Sequence, residues 1–266
     1  MDITTQLMAY YGPLCQCGIR PTASYEPDAF DQAYASFNIE ALGQQAIDAY
    51  IAGTATIEAP YAALTAAQVN LVWSRVQQEL PERWQQADNV ANSLYNQLRQ
   101  NTEQFFFLKN RSMAQQIVPL LTDTVGNVRR ESEVYALARP IVQDYNRLWF
   151  KAEYNAHTAS AQMTSKWETL RNAPLITFRT AGDERVRQTH RPLDGITLPP
   201  TDPFWLSFYP PLAWNCRCTV SRASFGAQVK SAPADLSPDI VPPVFQNHPA
   251  FTGQLVNVSA SPYATS

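Results

Sequence analysis

From Val134 to Leu170, apolar or small residues recur in steps of three and four: Val134, Leu137, Ile141, Tyr145, Leu148, Ala152, Ala156, Ala159, Met163, Trp167 and Leu170. A period of 3.6 residues puts all of them on one face of an α-helix. The middle of the chain is therefore committed to a long amphipathic helix that starts near Asn127. Unbroken, it would reach about 60 Å at about 1.5 Å per residue. Pro140 lies inside it and marks a bend or a helix start. The stripe suits a helix packed in a bundle better than a free-standing coiled coil.

The same spacing predicts shorter helices upstream. One runs from about Asp28 to Ala52 and stops at Gly53, with Phe30, Tyr34, Phe37, Leu42 and Ala46 inward. Another follows Thr65, a residue able to cap it, and ends or kinks at Pro81. Helical spacing resumes at Trp84 and continues through Val90, Leu94 and Leu98. A further helix is expected over residues 105–121, where Pro119 conflicts with it. After Asn172-Ala173-Pro174 the character changes. Leu175 to Thr180 reads as a strand, Asp183 to Gln188 as a short helix and Trp214 to Val220 as a second strand. From Ser231 the chain is rich in Pro, Ala and Ser without helical period.

The expected fold is α+β. A mostly helical N-terminal two-thirds with a long helix precedes a small α+β module and an extended C-terminal arm. The segments are an irregular N-terminal loop (1–27), a helical region (28–172), the α+β module (173–230) and the Pro-rich arm (231–266).

Charged residues make up only 16% of the 266 residues and the net charge is −3. That excludes a global basic footprint for nucleic acid, though Arg129-Arg130 and the Arg179 to Arg191 stretch are local basic patches. The most apolar run, Phe105-Phe106-Phe107-Leu108, is far too short to span a membrane. The start, Met1-Asp2-Ile3-Thr4, lacks the basic end and apolar block of a signal peptide. Synthesis in a reducing cytosol is expected, where thiols stay free.

Four cysteines form two C-x-C pairs, Cys15/Cys17 and Cys216/Cys218. Two thiols one residue apart bridge each other poorly but suit a soft divalent metal such as Zn2+. The ligands beyond Cys216 and Cys218 are either Cys15 and Cys17, or His190 with one more group. A metal so held suits a closed structural site better than an open catalytic one, and a structural site would contribute on the order of 10 kcal/mol to folding. The plainer alternative is four small buried hydrophobes.

The run Asp183-Glu184-Arg185-Val186-Arg187-x-x-His190 places Asp183 and Arg187 four apart, able to pair on a helix. His190 can serve as a general base or a phosphate ligand. The simpler reading is a packed histidine whose nitrogens satisfy backbone beside the Asp194-Gly195 turn. Trp205, Trp214, Phe204, Phe208, Tyr209, Pro210 and Pro211 crowd one loop. They can stack bases, but a small core or a partner contact is the simpler reading.

This order of pieces resembles the signature of the phage Mu F-like family of minor head proteins. They are the Thr180 strand, Asp183, Arg185, Arg187 and His190, then Leu193-Asp194-Gly195, Pro210-Pro211-Leu212 and Asn215-Cys216-Arg217-Cys218. A looser echo follows in Phe245, Asn247, Pro249, Ala250, Gly253 and Pro262-Tyr263. The N-terminal Cys15/Cys17 pair is not part of that signature. The resemblance implies a structural head-morphogenesis protein of a tailed phage, present in few copies at the portal or inner capsid beside the major capsid protein. It would reside in the virion, and in the host cytoplasm during assembly, with no membrane. It would have a bearing on genome packaging or ejection and a possible contact with packaged DNA. Some relatives carry a toxin domain after the head module, and none is expected here. The alternative is a small metal-dependent nuclease or hydrolase centred on His190, Asp183 and Cys216/Cys218.

Overall fold

A computed structural model describes residues 29–53, 59–86 and 90–264. Among them are helices α1 (Ala29–Ser36), α2 (Ile39–Ile51), α3 (Ala62–Glu79), α4 (Val90–Ile117), α5 (Glu131–Gln143), α6 (Trp149–Leu170), α7 (Phe204–Phe208) and α8 (Pro249–Thr252). Strands β1 (Ile176–Arg179), β2 (Thr197–Leu198) and β3 (Thr219–Arg222) form one sheet. The fold is α+β with a helical N-terminal part, as the patterning implies. No described helix is long and apolar enough to cross a membrane.

Several boundaries differ from expectation. The single helix expected over 28–52 is two, because Asn38 adopts φ 53°, a left-handed conformation that breaks the ladder between α1 and α2. The helix expected over 105–121 is the second half of α4, and Pro119 sits instead in a 3₁₀ turn, Val118–Leu121. From Glu131 to Leu170 the chain stays helical: α5, a π turn at Asp144–Leu148, then α6. Pro140 lies inside α5, in the turn before the π segment. Leu137 belongs to the apolar period yet is exposed.

The described chain divides into two compact units. The first takes residues up to 74, 102–154 and the last residues from 262. Its core is aromatic: Phe30 meets Phe150 and Tyr154 at 5.6 and 5.1 Å, and Phe106 meets Phe150 at 5.5 Å. Polar groups are buried with the rings. The Gln68 amide donates to Asn146 at 3.0 Å, and Asn110 donates to Thr65 and Gln68 at 2.9 Å. Gly43 brings α2 close to the π turn, since a Cβ there would lie 2.7 Å from the Asn146 amide nitrogen.

The second unit takes residues 75–101 and 155–261. Its sheet has the order β2-β1-β3 and is antiparallel throughout, with Ile176 opposite Leu198 on one side and Phe178 opposite Val220 on the other. All three of Ile176, Thr177 and Phe178 are buried, so β1 is covered on both faces. The crowded loop is core: Trp205, Phe208, Tyr209 and Trp214 are buried. The Tyr209 hydroxyl donates to the Met163 carbonyl at 2.8 Å, and Trp205 Nε1 donates to Pro199 O at 2.9 Å.

The C-terminal segment is irregular, as its lack of period implies, yet tied along its length. It buries Val241, Val244, Phe245, Val256 and Val258. The Asn101 side chain serves it as a strand would. Its oxygen accepts from the amides of Leu255 and Val256 at 2.9 and 3.3 Å, and its nitrogen donates to Val256 O at 3.0 Å.

Candidate metal centre

Residues 183–188 form a bend and turn rather than the expected helix. The Asp183 carboxylate accepts from the Arg185 amide at 3.1 Å, an Asx turn that competes with helical pairing. Asp183 consequently does not pair with Arg187. It takes the Arg217 guanidinium in a two-pronged contact, 2.7 Å to each oxygen. That contact holds the exposed Asp183 carboxyl down at about 2. Arg187 instead donates to the Trp214 carbonyl at 2.7 Å. Arg191, part of a local basic patch in the sequence, donates to the carbonyls of Val186 and Glu184, both at 3.2 Å. Three arginines thus brace the two loops that carry His190 and the cysteines.

The strand expected at Trp214–Val220 begins only at Thr219. Asn215 is left-handed at φ 54°, so the backbone turns before it can extend, and the Cys216 amide closes that turn on Ala213 O at 3.1 Å. The Asn155 amide on α6 donates to the Asn215 side chain at 3.0 Å, a link 60 residues long that no local signal announces. At the other end, Asp194 accepts from the amide and hydroxyl of Thr180 at 2.7 and 3.0 Å. Gly195 at φ 78° then returns the chain to β2. A side chain at Gly195 would be strained by that conformation and would crowd the Lys230 ammonium.

These turns bring together His190, Cys216 and Cys218. The His190 Nδ1 lies 3.8 Å from the Cys216 sulfur and 3.7 Å from the Cys218 sulfur. All three donor atoms fall within 4.8 Å of one another. The expected packed His190 is buried, but its ring nitrogen faces thiols, not backbone. Around a tetrahedral Zn2+ with ordinary bond lengths, an imidazole nitrogen and a thiolate sulfur sit about 3.6 Å apart. The observed separations match that edge, so the donor set and spacing fit a soft metal ion. Hydrogen bonding from Cys218, assisted by His190, pulls the buried Cys216 thiol well below its ordinary value, and the same contact with burial pushes Cys218 up. Cys216 and Cys218 are free. Cys15 and Cys17, the other candidate ligands, lie outside the described residues.

Cys218 and His190 also line an open pocket whose wall carries Arg185, Arg187 and Arg217.

Residues 113–221 match the family model described as Phage Mu protein F like protein. The F protein of Escherichia phage Mu, whose name describes it as a capsid assembly protein, is 33% identical over 81 residues, 29% of this chain and 18% of that protein. The Mu-like prophage FluMu F protein of Haemophilus influenzae is 32% identical over 65 residues, 24% of this chain and 16% of its own length. An uncharacterised protein of Methanocaldococcus jannaschii is 28% identical over 138 residues, half of this chain and 21% of that protein. The matched stretches thus span no more than 21% of any of these relatives. No solved structure matches the chain.

Proposed function

From a chain that is Mu F-like over residues 113–221, we propose a structural head-morphogenesis protein of a tailed phage. It docks at the portal or inner capsid in few copies per virion. It is made in the host cytoplasm, ends in the phage head and influences genome packaging or ejection. The observation that carries this reading is how the signature residues are used. Asp183, Arg187, Asp194, Asn215 and Arg217 each hold a turn or loop in place. They build a scaffold around His190, Cys216 and Cys218.

The test is reconstitution with cognate portal and major capsid proteins. Comigration with either in sedimentation supports the reading. A chain that stays monomeric in the presence of both, under conditions where heads assemble, sinks it.

Within that role the His190–Cys216–Cys218 cluster holds one Zn2+, which clips the 183–193 turn to the 214–218 loop. Supporting this are the 3.7 and 3.8 Å nitrogen–sulfur separations. Elemental analysis of the purified chain should find about one zinc per chain, lost together with folding when Cys216 and Cys218 are both changed to Ser. A metal-free chain that folds normally would reduce the thiols to packing.

The pocket beside Cys218 favours one second reading, a metal-dependent nuclease or hydrolase using His190 and Asp183. It predicts nuclease activity that His190→Ala abolishes. Activity equal in both forms, or absent from both, removes it.

A further inference from the structure

We propose that the metal of this cluster keeps a coordination position toward the adjoining pocket, where it and the arginines of the pocket wall bind a phosphate group. The inference rests on the zinc reading above. Three protein donors converge among the described residues, and a tetrahedral ion with three protein ligands takes an outside ligand in the fourth place. The cluster is not sealed. Cys216 is buried, but Cys218 is only half-buried, and Cys218 and His190 both face the pocket.

The charges around that opening select the ligand. Two thiolates and Zn2+ cancel. Arg185, Arg187 and Arg217 add three guanidinium groups to the wall. Against them stands Asp183, which Arg217 already engages through both oxygens. The surplus is positive, and it is built from guanidinium, whose planar fork matches phosphate oxygens. Arg187 is pinned to Trp214 O at 2.7 Å, so its position is set before any ligand arrives. Arg185 is 60% exposed and reaches Asp183 only at 3.9 Å, which leaves it available to close on an anion. A phosphate oxygen is a hard donor, and a zinc with an open position would accept such a ligand as it accepts water. Two sources carry this chemistry: free phosphate and the phosphodiester backbone of DNA.

The test loads the whole chain with Co2+, whose thiolate charge-transfer and ligand-field bands report the coordination sphere, and titrates inorganic phosphate. Phosphate should shift the ligand-field bands saturably. Arg185→Ala should keep the thiolate band and weaken phosphate about tenfold, the loss of one charge-assisted hydrogen bond. A spectrum unmoved by phosphate at tens of millimolar, with the thiolate band intact, overturns the phosphate site and leaves the metal standing. Absence of any thiolate–cobalt band sinks both. A second arm replaces phosphate with a short DNA duplex. A shift at lower phosphate-equivalent concentration identifies the DNA backbone as the source, and a shift with free phosphate alone assigns a small-anion site.

Discussion

Lys109 and Glu153 face each other in the helical core, both fully buried, with the ammonium on one carboxylate oxygen. The Tyr263 hydroxyl donates to the other oxygen at 2.6 Å, and the rings of Phe106 and Phe150 lie 5.7 and 5.0 Å from the ammonium. Burial lowers the Lys109 pKa, against the pull of Glu153. Changing Lys109 to Met keeps chain length and apolar contact but leaves Glu153 in the core without its cation. The cheapest escape is to take up a proton. For a carboxyl of ordinary value about 4.3, that costs about 1.4 kcal/mol per pH unit, so about 3.7 kcal/mol at pH 7 and about 1 kcal/mol at pH 5. The pH 7 figure falls inside the roughly 3–5 kcal/mol expected when one partner of a buried pair is removed. Lys109→Met should therefore lose about 3–4 kcal/mol in urea unfolding followed by circular dichroism at pH 7, and most of that gap should close at pH 5. Changing both residues to Met should recover most of the loss, because no lone charge remains. A single variant within about 1 kcal/mol of the parent at pH 7, or a deficit that does not shrink at pH 5, would refute the argument.

Three further outcomes follow from the geometry. His248 is buried between Tyr209 and Phe251, its ring centroid 4.0 and 4.1 Å from theirs, and burial lowers it to about 3. The unfolded chain binds this proton first, so its contribution is whole above about pH 6.5 and declines by at most about 1.4 kcal/mol per unit as pH falls toward 3. His248→Phe should flatten that part of the stability–pH curve, measured by urea midpoints at pH 7 and 5. Asp183→Ala should release Arg217, which sits between the two cysteines, and weaken metal binding by about tenfold in chelator competition. Unchanged affinity would mean that the Asp183–Arg217 pair has no part in orienting the ligands. Gly43→Ala should cost about 1–3 kcal/mol, since the new methyl lies 2.7 Å from the Asn146 amide nitrogen. A variant as stable as the parent in thermal melts would show that this side chain can move aside freely.

Periodicity alone located the helical middle of the chain, the change of character after Asn172-Ala173-Pro174 and the irregular end. Apolar spacing of three and four is a direct image of one buried helix face. The signature residues were legible too, and so was the pairing of Cys216 with Cys218. What spacing did not reveal was polar burial. Glu153, His157, Ser160 and Thr164 recur at helical intervals on α6 and are all buried, but a pattern read only from apolar residues passes over them. Nor did it show Lys109 under Glu153, 44 residues apart. At the candidate metal centre, local reasoning paired Asp183 with Arg187, its neighbour on an imagined helix. The Asx turn dissolved that helix, and Arg217 took the carboxylate. Contacts within four residues follow from backbone geometry and can be read along the chain. His190 meets Cys216 and Cys218 across 26 and 28 residues. That meeting was decided by closure of two loops around a three-stranded sheet, through the left-handed Asn215, the Asp194-Gly195 turn and the guanidinium braces, which only the folded chain brings into register.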